Sequence, residues 1–283
     1  MSCMDCSKQR RAVLIRKLDS HAVQVGIARC VLRFSHIGMA LSDRKILEAM
    51  KEGSIVIEPF ERKNLATSSY DVTLGEWYFS EQYPPHFENV FNIYDKKHID
   101  RVWGIEPRRA KPAREVFRQY HIEWKGIHPD EQVILLAPGE TILGHTQEFI
   151  GGRDHITTMM KARSSLGRSF ISVCKCAGWG DVGYTNRWTM EIQNTSNRYY
   201  IPLVVGRRIA QIVFFETGPI LETSYFVEGK YQTGETLAEL KKSWHPTMML
   251  PKLHTDRDIA AGAKKARAAK KAAPKSTAKK AKK

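Results

Sequence analysis

The chain has 283 residues, 42% of them hydrophobic, and 45 Lys and Arg against 30 Asp and Glu give a formal net charge of +15. That is enough apolar material for one large or two small domains, but no run of 18 or more apolar residues exists, which excludes a helical membrane span. The first residues lack an apolar h-region with a small-residue cleavage site, and the five cysteines are odd in number and without framework spacing, so a reducing, cytoplasmic compartment is expected rather than secretion.

The charge is uneven. Residues 261–283 hold ten Lys and Arg and no acid, residues 1–38 hold seven against two acids, and the stretch between them balances to zero. Three parts are therefore expected: a basic N-terminal extension over 1–38, one folded domain over 39–253, and a disordered Lys/Ala-rich tail over 254–283. The tail is also suited to non-specific contact with nucleic acid. Within the extension, Cys3 and Cys6 form a single pair, too few ligands for a zinc site.

The folded part opens with a helix. Ser42 is an N-cap, Asp43 sits in the first turn, Ile46, Leu47 and Met50 form the apolar stripe, and Gly53 stops it. Ile55, Val56 and Ile57 form a short strand ended by Pro59, and residues 68–79 are strand again. Residues 80 to about 130 differ: Pro84, Pro85, Pro107, Pro112 and Pro129 punctuate a stretch rich in aromatic residues, read as an insertion that is either a surface elaboration or subunit-contact loop, or a lid or specificity insert. His121-Ile122-Glu123 lies there. Zinc-dependent deaminases use H-x-E followed by P-C-x-x-C. No such cysteine pair follows, and Cys174 and Cys176, one residue apart on an apparent strand, do not replace it.

From 132 onward the pattern reads as strand throughout: Val133–Leu136, pieces between Ile142 and Met160, Phe170–Val173, Trp188–Ile192, Tyr199–Val205 and Ile209–Phe215. Gly, Asn and Pro separate them. Helix-length crossovers are missing, so a sandwich or barrel is favoured over a parallel sheet. Neither GxGxxG nor GxxxxGK is present.

Residues 160–194 carry the chemistry. Arg163-Ser164-Ser165-Leu166-Gly167-Arg168 places two guanidiniums and two hydroxyls within six residues. That cluster suits an oligophosphate, although it is also compatible with a solvated turn. Asp181 sits among Gly178, Gly180 and Gly183, where the backbone turns sharply and approaches a ligand closely. Ten residues on, Glu191 lies in an alternating segment with Trp188, Met190 and Ile192 on one face and Thr189 and Glu191 on the other. A carboxylate there is a candidate general base.

These motifs, in this order, resemble those of the dCTP deaminase family of the dUTPase-like superfamily. Ser69-Tyr70-Asp71-Val72-Thr73-Leu74-Gly75 is similar to an early family element. So are Pro138-Gly139-Glu140 with Leu143-Gly144-His145-Thr146-Gln147-Glu148, Gly206–Gln211, and Lys230-Tyr231-Gln232. The resemblance covers most of 39–234 apart from the insertion. It implies a mainly antiparallel β-barrel or sandwich (a β-clip) with a short N-terminal helix, assembled as a homotrimer with sites between subunits.

The resemblance also implies roles. Glu191 is the base and proton shuttle, while Ser164 and the Ala177 backbone position the attacking water and Arg168 supports it. Arg163, Ser164, Ser165 and Arg168 meet the triphosphate, partly from a neighbouring subunit. Asp181 takes the 3′-hydroxyl, the backbone of 177–184 around Trp179 reads the base, and Gln211 belongs to a closing element. Lys230 and Tyr231 close over the phosphates from a mobile segment. No cofactor takes part in the chemistry, Mg²⁺ accompanies the triphosphate, and dTTP is a possible inhibitor. Two departures stand out: Gly180 and Val182 flank Asp181 where the family often has Ile and Pro, and Thr233-Gly234 follows Gln232 where a second Gln is common.

The expected reaction is metal-independent deamination of dCTP to dUTP and ammonia, feeding thymidylate synthesis. A bifunctional enzyme that continues to dUMP and pyrophosphate is the alternative, as is a dUTPase in which Asp181 activates the water. A non-catalytic nucleotide- or nucleic-acid-binding protein is the reading from another class.

Overall fold

A computed structural model describes residues 40–120, 125–220, 225 and 229–259. The first described helix, α1 (Asp43–Glu52), forms where its stripe and caps place it. Ser42 accepts from the Lys45 N–H, Gly53 takes a left-handed φ of 86°, and Ile46 and Ala49 are buried. The next strand is β1 (Ile55–Glu58). β2 (Tyr70–Thr73) and β3 (Trp77–Ser80) divide the stretch expected as one strand.

The insertion contains two helices that its proline spacing did not announce. α2 (Lys96–Trp103) is capped by Asp95, whose carboxylate accepts from the Lys97 N–H. After the short strands β4 (Arg108–Arg109) and β5 (Lys111–Pro112) comes α3 (Ala113–Tyr120). The prolines fall outside the helix interiors, where they do no harm. His121 and Glu123 lie outside the described residues.

Beyond 132 the chain is strand-rich but not all strand. β6 (Gln132–Leu136), β7 (Thr141–Gly152) and β8 (Ile156–Ala162) are followed by a five-residue helix, α4 (Ser164–Arg168). Next come β9 (Ile171–Ser172), β10 (Trp179–Gly180), β11 (Thr185–Asn194), β12 (Ile201–Val204) and β13 (Arg208–Glu216). The strand expected over Phe170–Val173 shrinks to two residues, and Cys174 and Cys176 are on a turn, not a strand. The reason is local: Phe170, Cys174 and Lys175 have φ of 62°, 55° and 36°, values incompatible with extended backbone. Downstream, helix α5 (Leu237–Ser243) opens with a capping box between Thr236 and Glu239.

All strand pairings are antiparallel. One sheet runs β4-β3-β7-β11-β9 with β1 also on β7, a second β10-β8-β13-β2, and a third β12-β6-β5. The fold is thus mainly β with a short N-terminal helix, as expected, but among the described residues no ladder closes on itself into a barrel. The core includes Tyr70, Phe214, Ile134, Leu136, Ile142, Ile150, Ile156, Met160 and Met190, each at most 1% exposed. Each such burial contributes about 1.5–3 kcal/mol before entropy is counted. Strand β7 is the keel: β11 lies along one edge over Thr141–Gly151, while β1 and β3 share the other.

Candidate active site

The alternation read in β11 is realised. Trp188, Met190 and Ile192 are buried in the core, and Arg187, Thr189, Glu191 and Gln193 form the opposite, half-buried face. A register shift between Arg187 and Thr189 sets the pitch of that face. Glu191 lines a cavity of about 450 Å³ together with Ala177, Trp179, Asp181, Thr189 and Tyr231. Its Oε2 is buried and has no hydrogen-bond partner among the described residues. Burial raises the Glu191 pKa above its ordinary value, opposed by a hydrogen bond from its own backbone N–H and by the charge of Lys175. A desolvated carboxyl held on a rigid central strand is suited to taking a proton near neutral pH.

The wall facing Glu191 is the glycine-rich turn. β10 pairs with β8, and the Gly180 carbonyl accepts from the Thr157 hydroxyl at 2.7 Å. A Cβ on Gly180 would lie 2.5 Å from the Trp188 ring, so only glycine lets the turn lie flat on that indole. Tyr184 meets Trp188 edge-on at 5.1 Å and Tyr225 at 5.1 Å. Burial pushes both phenols upward. Asp181 is exposed at the rim, where its Oδ1 accepts from Trp179 Nε1 at 3.1 Å. It also borders a second cavity of about 670 Å³ with Lys230, Tyr231 and Thr157.

Lys230 and Tyr231 are held in place. Asn186 donates to the Tyr231 carbonyl at 2.7 Å, and the side-chain oxygen of Gln232 accepts from the Thr185 N–H at 2.8 Å. Lys230 pairs with Asp256 at 2.7 Å, and the Lys252 N–H donates to the Tyr231 hydroxyl at 3.1 Å. Downstream, Trp244 packs on His145 with rings 4.7 Å apart, and the Arg187 guanidinium lies 4.6 Å from its centre.

The other expected site residues lie elsewhere on the chain. Ser164, Ser165 and Arg168 are exposed on α4 and do not line the Glu191 cavity. Arg163, just before α4, faces a separate cavity of about 810 Å³ with Lys63, Arg207, Arg208 and Glu148. There Asp71 on β2 pairs with Arg208 at 3.0 Å and Arg163 at 3.4 Å. Gln211 on β13 stands in register with Asp71, half-buried. Glu148 accepts from the Thr73 N–H and hydroxyl at 2.9 and 2.8 Å, and burial raises its pKa. The chain thus carries a carboxylate-and-aromatic cluster and a separate arginine cluster, and the Glu191 cavity contains only the first.

Sequence reasoning missed much of the wall: the aromatic Tyr184, Tyr225 and, from the insertion, Trp103, and the aliphatic Met249 and Pro251 from the C-terminal segment. The aromatic richness of residues 80–130 was a signal for Trp103. Nothing local pointed to Met249. Among the described residues, no group of three or more His, Cys, Asp or Glu is placed to hold a metal ion, and no helix is long and apolar enough to cross a membrane.

Residues 40–217 match the model of a family described as dCTP deaminase-like. A protein named "dCTP deaminase, dUMP-forming" from Dictyoglomus thermophilum is 33% identical over 71% of this chain and 95% of its own length. One of the same name from Hydrogenobaculum is 33% identical over 62% of this chain and 81% of its own. A solved 2′-deoxycytidine 5′-triphosphate deaminase from Agrobacterium tumefaciens has a TM-score of 0.43 and 17% identity, over 68% of this chain and 52% of that one.

Proposed function

Since the chain belongs to the dCTP deaminase-like family, we propose that it is an enzyme that hydrolytically deaminates dCTP, with Glu191 as its base. The observation that carries this is the buried Glu191 carboxyl, its Oε2 without a hydrogen-bond partner, in a cavity shared with Ala177, Trp179 and Asp181. Ionised Glu191 takes a proton from water as the oxygen adds to C4 of cytosine. It returns that proton to the ring at N3, then carries the proton of the new C4 hydroxyl to the exocyclic amine, which leaves as ammonia and gives a uracil nucleotide. Burial supports this role because it holds the carboxyl's proton affinity above that of a solvated acid.

For the end product, the relatives' names favour dUMP over dUTP. In the second step a water attacks the α-phosphorus and pyrophosphate departs. Asp181, at the rim between the two cavities, is the carboxylate available to that water. Mg²⁺ enters with the triphosphate as part of the substrate.

The arginine cluster is assigned to the triphosphate, completing a neighbouring copy's cavity in a homotrimer. The separation of Ser164, Ser165 and Arg168 from Glu191's cavity within one protomer supports this. Mixing inactive Arg168→Ala protein with inactive Glu191→Gln protein would then restore activity through sites that draw one intact half from each. The reaction itself is tested by incubating purified protein with dCTP and Mg²⁺ and separating the products by ion exchange. Ammonia with dUMP and pyrophosphate is expected. dUTP as the end product would restrict the enzyme to deamination, and no ammonia from dCTP would overturn the proposal.

A further inference from the structure

We propose that Trp103, carried by the insertion, contacts the substrate base, its indole N–H donating to the 2-carbonyl oxygen of cytosine; this rests on the deaminase reading above. Among the described residues, six buried side-chain polar atoms have no hydrogen-bond partner. Two of them, Glu191 Oε2 and Trp103 Nε1, belong to residues lining one cavity. A buried indole N–H is a donor only and normally finds an acceptor. A donor and an acceptor left unpaired on two residues that line one aromatic-walled cavity complement a ligand that brings one of each. An aminopyrimidine does so.

Trp103 is not there by accident of a loose loop. It is the last residue of α2, whose Ile99 is buried and whose Val102 carbonyl accepts from the Gln82 N–H at 2.7 Å, just past β3. Its ring packs with Phe79, Leu143 and Met249, and Leu143 is the register partner of Glu191. Arg101 ties the same turn to the loop before it, pairing with Glu88 and donating to the Val90 carbonyl at 2.8 Å. The insertion therefore holds Trp103 to the strand pair that carries the base.

Cytosine has two acceptors on its ring edge, N3 and O2. N3 gains a proton as water adds to C4, and in the uracil product it carries a hydrogen. A fixed N–H donor at N3 would oppose the product. O2 accepts throughout, so it is the acceptor compatible with a donor that cannot change role.

The test pairs two variants with two nucleotides. Trp103→Phe removes the N–H and keeps an aromatic ring, while Trp103→3-benzothienylalanine keeps the bicyclic shape, so folding is preserved in at least the second. The nucleotides are dCTP and 2-thio-dCTP, in which a weakly accepting sulfur replaces O2. Wild type should show a KM about three- to tenfold higher for the thio nucleotide. Both variants should raise KM for dCTP by a similar factor and lose the discrimination, whereas a merely steric penalty from sulfur would persist in them. Wild-type KM values, or unchanged discrimination in both variants, would overturn the assignment. Should wild type release no ammonia from dCTP, the deaminase reading fails first. Calorimetric binding of the same two nucleotides then decides whether Trp103 still recognises the base.

Discussion

Replacing Glu191 by Gln should separate activity from stability. The carboxyl is largely buried, its Oε2 lacks a partner, and burial raises its pKa. Because the folded pKa lies above the unfolded one, its ionisation costs stability as pH rises from the unfolded value through the raised folded value, and the cost is present in full above both. An amide of the same size removes that cost. The amide is still an unmet buried polar group, so only the excess cost of the charge is recovered, about 1 kcal/mol at neutral pH. For a domain of this size that is about 2–4 °C in Tm. The same change removes the proposed base, worth about 10²–10⁴-fold in kcat. Ammonia release under saturating dCTP reads the loss, scanning calorimetry reads the gain, and titration calorimetry should show dCTP binding retained. The wild-type kcat should fall on the acid side with a midpoint above the ordinary carboxylate range. A variant with kcat within tenfold of wild type, or one melting several degrees lower, would refute the reasoning.

Three further outcomes are expected. Gly180→Ala would place a Cβ 2.5 Å from the Trp188 ring and 2.3 Å from the Thr158 hydroxyl; thermal unfolding should show a loss of about 1–3 kcal/mol, with a raised KM for dCTP as the turn lifts. His145 accepts from the Trp77 N–H at 3.2 Å and bonds the Thr146 carbonyl at 2.8 Å, and burial lowers its pKa to about 4. The unfolded chain then binds the proton more readily, so stability should fall as pH drops from about 6.5 to about 4, by up to about 3 kcal/mol; denaturant titrations of wild type against His145→Gln across that window read the difference. Asp256→Asn should free Lys230 from its partner and, with Lys230 on the triphosphate, lower KM for dCTP about two- to fivefold at low salt; an unchanged or higher KM would place Lys230 outside the phosphate site.

The sequence by itself determined the elements whose signals are local. Ser42 and Gly53 bounded α1, and the two-residue period of Trp188, Met190 and Ile192 placed Glu191 on the half-buried face. The ordered motifs pointed to the family that residues 40–217 match. Some local signals went unread: Thr236 with Glu239 is a capping box, and Asp95 caps α2. Left-handed backbone at Phe170, Cys174 and Lys175 could not be read at all, because none of these residue types demands it. What only the tertiary structure decided is which residues share a cavity. Trp103, Glu191 and Met249 meet because β7 pairs with both β3 and β11 and the C-terminal segment packs against Phe79 and Leu143. Those are long-range contacts, driven by apolar burial that has no direction along the chain. A strand's own period says which face a side chain takes, but not what will come to cover it.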